Sequence, residues 1–192
     1  MAKKESNFKN MVLTLFMVTF IASAALGYIY ELTKGPIAAS KLAKQNNAIK
    51  QVVPEFDNEP GKESYKMGVD GDTLEFFPAK NDGELVGTAV STFTNKGFSG
   101  NFKLMVGFLP DGTIHNISVL EHKETPGLGD KMQKSKSDWS VQFNGENPAD
   151  FKLKVTKDGG DVDAITASTI TSRAFCDAVE RAYNAYMEGG KK

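Results

Sequence analysis

The longest apolar stretch of the chain lies near its N-terminus, between Met11 and Tyr30. It contains no charged residue and no proline, and a helix of about 20 residues is long enough to cross the hydrocarbon core of a bilayer. Three lysines precede it, namely Lys3, Lys4 and Lys9. Because the lysine-rich side of a span stays in the cytoplasm, the pattern predicts a cytoplasmic leader at 1–10, one membrane-spanning helix at 11–30 and an extracytoplasmic remainder.

A cleaved signal peptide is the alternative interpretation of this stretch. Ala22-Ser23-Ala24 resembles an A-x-A cleavage site. The apolar run nevertheless continues to Tyr30, which makes it longer than the usual signal-peptide core of roughly 7–15 residues. A retained anchor is therefore favoured, and both interpretations place the following domain across the membrane.

An amphipathic helical pattern follows between Ile37 and Val53. Gly35-Pro36 is expected to end or kink the spanning helix, because proline lacks an N–H donor and restricts its neighbour. Pro54 closes the second segment. We assign a stalk helix to residues 31–54, which either packs onto the domain that follows or serves only as a linker.

Beyond residue 55, apolar and polar positions alternate in short segments that are typical of half-buried strands. The pattern predicts strands at Ser64–Val69, Thr73–Pro78, Glu84–Phe93, Asn101–Leu109, Thr113–Glu121 and, in a further short segment, Phe151–Val155. Turn formers such as Pro110-Asp111-Gly112 join neighbouring strands directly, which favours an antiparallel sheet. Ser172–Met187 carries the apolar stripe of an amphipathic helix. We therefore predict an α+β domain at 55–192, an antiparallel sheet with flanking helices.

Composition and charge narrow the classes of function. The 192 residues carry a formal net charge of -1, so the chain has no basic excess to neutralise nucleic-acid phosphates. One cysteine excludes an intrachain disulfide, a CxxC pair and a cysteine-ligated iron–sulfur cluster, and two histidines argue against a multi-histidine metal site. We predict no nucleic-acid partner and no metal site, and any redox chemistry then requires an organic cofactor.

The segment Glu121–Lys131, EHKETPGLGDK, holds one proline and two glycines within four residues. Glycine permits backbone conformations that other residues avoid. Thr125 supplies a hydroxyl, Leu128 an apolar contact and Lys131 a cation, so this loop can lay backbone N–H groups against a planar ligand while Leu128 covers its face. The alternative is an ordinary connecting loop that needs glycine only for its turns.

A second segment, Gly159–Ser172, leads directly into the C-terminal helix. It contains five hydroxyl-bearing residues, namely Thr166, Ser168, Thr169, Thr171 and Ser172. The start of a helix has unpaired N–H groups and a partial positive charge, which suit a phosphate. Helix capping is the alternative, and it accounts for one hydroxyl residue rather than five. No GxGxxG or P-loop pattern occurs, so neither a Rossmann site nor a P-loop is indicated.

Together the two segments carry a resemblance to a known family. Asp163–Thr171, DAITASTIT, resembles the flavinylation motif of FMN-binding domains, in which an Asp is followed by Ser or Thr, Gly, Ala and an acceptor Thr. Glu121–Gly129, which contains ETPGLG, resembles the ETPGLG loop of the same domains. With the N-terminal span, the order is similar to that of the G subunits of Rnf electron-transport complexes, to which the C subunit of the sodium-pumping NADH:quinone oxidoreductase is related.

The resemblance implies covalent FMN, joined through its phosphate to Thr169 as a phosphoester, with Thr171 as the second candidate acceptor. It implies cofactor-binding roles for Glu124, Thr125, Gly127, Leu128, Lys131, Asp163, Thr166, Ser168 and Thr171. No catalytic residue is required, because the flavin carries the redox chemistry. Where the family commonly has Gly-Ala before the acceptor, this chain has Ala167-Ser168, and Ala167 adds a Cβ where glycine permits a close approach.

The implied function is that of an anchored electron-transfer subunit of an ion-translocating ferredoxin:NAD⁺ oxidoreductase in the inner (cytoplasmic) membrane, coupled to Na⁺ or H⁺ movement. The implied partners are the other membrane subunits, membrane lipid, and a flavin transferase that uses FAD and Mg²⁺. Since the span has no charged residue, it is not expected to form the ion path. The alternatives are the C subunit of the quinone oxidoreductase, a stand-alone exported flavin reductase, and an anchored ligand-binding domain without flavin.

Overall fold

The computed structural model describes residues 7–69 and 71–189. Most of the predicted leader and the last three residues of the predicted domain lie outside these ranges. The described residues form helix α1, Phe8–Val52, and helix α2, Thr169–Gly189. They also form five strands: β1 (Tyr65–Val69), β2 (Asp72–Asn81), β3 (Glu84–Gly97), β4 (Gly100–Phe108) and β5 (Ile114–Glu121). The chain divides into an N-terminal unit, 1–43, and a second unit, 44–192.

The N-terminal unit consists, where it is described, of the apolar part of α1. This helix is long and apolar enough to cross a membrane by length and composition, and none of its apolar window is buried by protein. The sequence predicted that Gly35-Pro36 ends or kinks the helix. The helix continues through this dipeptide, so the first of these two predicted effects is wrong. A proline removes one N–H donor from the ladder, and a helix of this length keeps the backbone bonds on either side of it.

The second unit is built on a five-stranded antiparallel sheet in which each strand pairs with its neighbour in sequence, in the order β1-β2-β3-β4-β5. Val90 of β3 lies opposite Val106 of β4, and two residues, Phe98 and Ser99, connect these strands. The predicted antiparallel α+β fold is confirmed, and five of the predicted strands are found close to their expected bounds.

The sixth predicted strand, Phe151–Val155, is wrong. Its residues form no strand and make only an isolated parallel bridge between Val155 and Val162. Leu153 and Val155 are buried while Lys152 and Lys154 are exposed, which produces the alternation seen in the sequence. The pattern comes from a loop that packs against the core, and the Thr156 N–H donates to the Val162 carbonyl at 2.8 Å.

Both faces of the sheet are covered by helix. On one face, α2 buries its apolar stripe against residues such as Phe76, Leu104 and Phe108. The hydroxyl of Thr92 in β3 also donates to the Ala178 carbonyl of α2 at 3.0 Å. This contact holds the helix, and therefore its first turn, at a fixed position over the sheet.

On the opposite face, the end of α1 packs onto the sheet. Its buried residues Ile49 and Val52 contact a second apolar cluster. A Cβ at Gly107 would come within 1.7 Å of the Val52 carbonyl oxygen, so only glycine allows this approach. His115 Nδ1 and Asn116 Nδ2 lie 3.0 Å and 2.9 Å from the Val52 and Gln51 carbonyl oxygens, which lack intrahelical partners. The segment 44–53 is therefore part of the folded unit.

Candidate functional site

A cavity of about 350 Å³ lies where three segments of the second unit meet. These segments are the tip of the β3–β4 hairpin, the loop that follows β5 and the first turn of α2. The cavity is lined by Phe98, Glu124, Thr125, Leu128, Gly129, Ala167, Ser168, Thr169, Ile170 and Thr171. The fold thus brings together the two segments that the sequence singled out, and it adds a third segment from the hairpin.

The three segments are joined by one buried carboxylate, that of Glu124. This side chain is 5% exposed. Its Oε1 accepts a hydrogen bond from the Ser99 N–H at 2.9 Å, and its Oε2 accepts one from the Thr171 hydroxyl at 2.6 Å. Because hydrogen bonds to an ionised group are the stronger kind, Glu124 fixes the hairpin tip and the helix start to its own loop.

Gly129 makes this arrangement sterically possible. A Cβ at position 129 would come within 2.6 Å of Glu124 Oε2 and 2.8 Å of Thr171 Oγ1. Any side chain there would therefore disturb the carboxylate–hydroxyl pair. The second glycine of the ETPGLG loop serves close packing around the carboxylate of Glu124.

The same loop closes on itself through its backbone. The N–H groups of Leu128 and Asp130 both donate to the Thr125 carbonyl, at 3.2 Å and 3.4 Å. These two amides are therefore engaged within the loop and are not available to a ligand. The side chains of Thr125 and Leu128 line the cavity instead, and Leu128 is 40% exposed.

The first turn of α2 presents both amides and a hydroxyl at the cavity. Its first intrahelical bond runs from the Ser172 N–H to the Ser168 carbonyl at 3.1 Å. The amides of residues 169–171 precede this bond and have no acceptor within the helix. Thr169 begins the helix and is half-buried, whereas Thr171 is 1% exposed and donates to Glu124.

The loop before α2 is held in a tight turn. The Ser172 hydroxyl accepts from the Ile165 N–H at 2.9 Å and donates to the Ser168 carbonyl at 3.1 Å. Ala167, at the tip of this turn, has a φ of 61°, in the left-handed region that non-glycine residues rarely adopt. The position where the related motif commonly has glycine is therefore one where the backbone favours glycine.

The upstream end of this loop is attached to the aromatic core. The Trp139 Nε1–H and the Gln142 side chain both donate to the Asp163 carbonyl, at 2.6 Å and 3.3 Å. The Trp139 ring packs edge-on against Phe175 of α2, with their centroids 5.0 Å apart. Trp139 thus links the start of the hydroxyl-rich segment to the helix that ends it.

An aspartate of α2 fixes the hairpin next to the cavity. Asp177 accepts from the Thr94 hydroxyl at 2.8 Å and pairs with Lys96 at 2.5 Å. Burial of Asp177 opposes its ionisation, but the hydrogen bonds from Lys96 and Thr94 outweigh it and lower the pKa of this carboxyl. The last residues of β3 are therefore attached to the third turn of α2.

The structure separates the predicted site residues into two groups. Those that line the cavity are Glu124, Thr125, Leu128, Ser168, Thr169 and Thr171. Those that lie near it in sequence without lining it are Gly127, Lys131, Asp163 and Thr166. Gly127, Asp163 and Thr166 are exposed, and Lys131 belongs to the short 3-10 helix Gly129–Met132.

Four residues that line the cavity were not among the predicted site residues, namely Phe98, Gly129, Ala167 and Ile170. Ile170 is part of the hydroxyl-rich segment, and its apolar side chain is 49% exposed. Phe98 stands between two glycines in the short run Gly97-Phe98-Ser99-Gly100. An aromatic residue in a turn where small polar residues are usual is the signal by which the sequence could have identified Phe98.

The residues present fit an FMN bound through its phosphate. The cavity volume lies in the usual range for a small-molecule site. Hydroxyls and the three amides of the helix start offer donors to a phosphate, and Phe98, Leu128 and Ile170 offer apolar contacts to a planar ring. Among the described residues, Glu124 is the only ionisable side chain in the lining, and its carboxylate already accepts hydrogen bonds from two donors.

Comparison with known proteins agrees with this chemistry. Residues 97–184 match the family model described as an FMN-binding domain, and this range includes every residue that lines the cavity. The chain is 37% identical over 177 residues to the G subunit of the ion-translocating oxidoreductase complex of Erwinia tasmaniensis, with 88% of this chain and 84% of that protein covered. It is 34% identical over 189 residues to the G subunit of the Shewanella amazonensis complex, with 93% and 87% covered.

The chain belongs to the family of G subunits of ion-translocating oxidoreductase (Rnf) complexes. A third relative, the G subunit of the Aliivibrio fischeri complex, is 35% identical over 194 residues, with 93% of this chain and 90% of that protein covered. These matches extend over the N-terminal helix as well as the sheet domain. In this member of the family, the FMN-binding region therefore begins at the β3–β4 hairpin and continues nearly to the end of α2.

Proposed function

We propose that this chain is a membrane-anchored electron-transfer subunit that carries FMN on Thr169 through a phosphoester bond. Its relatives are named as subunits of ion-translocating oxidoreductase complexes, so the chain acts as part of an oxidoreductase, alongside other membrane subunits. The FMN, when bound, accepts and donates the electrons. The chain itself anchors the cofactor, orients it and shields it.

The observation that carries the proposal is the contrast between the two candidate threonines at the start of α2. Thr171 is fully buried, and its hydroxyl is engaged with Glu124. Thr169 lines the cavity, is half-buried, and lies among amides that have no acceptor within the helix. The geometry therefore favours Thr169 as the acceptor and gives Thr171 a structural role.

Attachment needs a donor of the FMN group, and we assign this step to a flavin transferase that uses FAD and Mg²⁺. The Thr169 oxygen forms the new bond to the phosphorus next to the flavin, the bond from that phosphorus to AMP breaks, and AMP departs. The hydroxyl proton is released to solvent. The resulting diester carries one negative charge, which the helix start and the neighbouring Ser168 hydroxyl can stabilise.

The exposed residues of the motif have a different role in this proposal. Asp163 and Thr166 match the flavinylation motif, yet both are exposed and lie outside the cavity lining. Their side chains are free to contact the transferase, while the Asp163 carbonyl remains held by Trp139. We assign them to recognition during maturation, and we assign Lys131 and Gly127 to the outer surface of the flavin loop.

The membrane topology is the remaining part of the proposal. We place the N-terminus in the cytoplasm and the second unit on the outer side of the inner membrane, because the lysines of the chain's start precede the apolar span. Protease added to intact spheroplasts should then remove the second unit. Digestion only after the membrane is opened would place the domain on the cytoplasmic side.

The attachment is tested by intact-mass measurement of the full chain produced together with its transferase. Wild-type protein should carry the added mass of FMN as an ester and remain fluorescent on a denaturing gel. Trypsin cleaves after Lys157 and Arg173, so fragmentation of the peptide 158–173 locates the flavin. Thr169→Ala should lose the label completely, whereas Thr171→Val, which removes the other candidate hydroxyl, should keep it.

The reverse pattern, with the label lost in Thr171→Val and kept in Thr169→Ala, would move the acceptor to Thr171. An unmodified wild-type chain would refute the covalent proposal. Co-purification with multi-span membrane subunits distinguishes a complex component from a stand-alone flavin reductase, because a reductase turns over a small acceptor without partners.

A further inference from the structure

Apolar exposure in the second unit is concentrated at one place. Within the described part of this unit, five large apolar side chains are exposed, namely Phe98, Leu128, Val141, Ile170 and Met187. Three of them, Phe98, Leu128 and Ile170, line the cavity that contains Thr169. Single exposed apolar residues are normal on a protein surface, but three from separate segments around one cavity indicate a site for an apolar ligand surface.

Phe98 is the most exposed of the three, at 68%. It stands at the two-residue tip of the β3–β4 hairpin, where it makes no contribution to either core cluster. A turn at such a tip is served better by small polar residues. Packing among the residues that the structure describes therefore gives no reason for an aromatic ring at this position.

The hairpin tip is nevertheless held in place. The Ser99 N–H donates to Glu124, and Asn101 donates to Asn95 across the base of the tip at 2.8 Å. Below these residues, Thr94 and Lys96 both bind Asp177 of α2. Phe98 is thus presented to the cavity by a segment attached to both of the other elements that form it.

We propose that Phe98 forms an apolar wall of the flavin site and covers the isoalloxazine ring system from water. This inference rests on the proposed attachment of FMN to Thr169. Aromatic rings stack favourably against planar ring systems in partly water-excluded sites. Phe98 is thus a positioning residue that contributes neither to the covalent bond nor to the fold of the core.

The test uses the full chain in detergent, loaded with flavin, and measures quenching of flavin fluorescence by iodide. Phe98→Ala should raise the quenching constant about two-fold, because one of the surfaces that excludes water from the ring is removed. Phe98→Leu, which keeps an apolar side chain at this position, should stay close to the wild-type constant. Val141→Ala is the matched control, since Val141 is exposed and apolar but lies outside the cavity lining.

A second variant gives a result that depends neither on how much flavin the protein carries nor on small changes in the access of iodide to the ring. Tryptophan quenches flavin fluorescence only near contact, so Phe98→Trp should abolish most of the fluorescence per bound flavin, whereas Val141→Trp should not. Flavin content is taken from absorbance. Loaded Phe98→Ala and Phe98→Trp proteins with wild-type quenching and fluorescence would overturn the inference while leaving the Thr169 attachment intact. A wild-type chain without covalent flavin mass would refute the attachment and this inference together.

Discussion

The backbone at Ala167 offers a quantitative test of how the chain departs from its family motif. Ala167 has a φ of 61°, and its side chain is exposed at the tip of the turn before α2. Holding a residue with a Cβ in the left-handed region costs about 1–2 kcal/mol. Glycine avoids this cost, but it loses more conformational entropy on folding, which opposes the gain by about 0.4–1 kcal/mol.

The net expectation is that Ala167→Gly raises the free energy of unfolding by about 0.5–1 kcal/mol. The assay is urea unfolding of the flavin-free full chain in detergent, followed by Trp139 fluorescence. Trp139 is the one tryptophan of the chain, and it packs 5.0 Å from Phe175 and donates to Asp163. Its emission therefore reports directly on the loop and the helix that flank Ala167.

The matched control is Ala149→Gly. Ala149 is also an exposed loop alanine, but it lies outside the left-handed region. The same substitution there should lower the free energy of unfolding by about 0.4–1 kcal/mol, because only the entropic cost remains. Opposite signs at the two positions are the expected result. A loss of stability at both positions would refute the argument that the backbone at Ala167 is strained.

Three further predictions concern ionisable groups around α2. Glu124→Ala should destabilise the domain by about 3 kcal/mol in the same assay. The substitution removes two hydrogen bonds to the carboxylate and leaves the buried Thr171 hydroxyl without an acceptor. Unchanged stability would contradict the role of Glu124 in joining the three segments. Burial raises the pKa of the Cys176 thiol to about 12, so its reaction with a disulfide reagent at pH 8 should be on the order of 10³-fold slower than in urea. The hydrogen bond from Arg173 lowers the pKa of Asp158. At pH values above the ordinary carboxyl pKa of about 3.9, this ion pair therefore stabilises the fold fully. The stabilisation is lost as the pH falls through the lowered pKa of Asp158. Arg173→Gln should therefore flatten the acid dependence of the unfolding midpoint below about pH 4, and an unaltered pH profile would count against the pair.

Local periodicity was sufficient to predict the sheet and the second helix. The first part of β4 alternates, with Phe102 and Leu104 buried and Lys103 exposed, and α2 turns its apolar stripe to the same core, so this burial pattern is visible in the sequence. The wrong prediction of a strand at Phe151–Val155 has the same origin. Alternating burial is produced by any extended segment that lies on a core, and the pattern does not show whether a partner strand is present.

The site required information that local patterns do not contain. The carboxylate of Glu124 joins Ser99 and Thr171, which are 25 and 47 residues away in the chain. The motif resemblance found two of the three segments because their residue types are distinctive. Phe98 was missed because its relevance depends on where the β3–β4 hairpin tip lies relative to α2, and Thr94, Lys96 and Asp177 determine this through non-local contacts.

The charges of the cavity support the proposed covalent link. Within the part of the chain that the structure describes, no lysine or arginine lines the cavity, and its one acidic side chain is committed to Ser99 and Thr171. An FMN held only by non-covalent contacts would depend on amides and hydroxyls to bind its phosphate dianion, in a site that is open to water. An ester bond to Thr169 removes one of the two negative charges of the phosphate. It also keeps the cofactor on the protein whatever the non-covalent affinity. The cavity can then stay open on one side and leave the edge of the flavin ring accessible to a redox partner. A closed, high-affinity pocket would block this access.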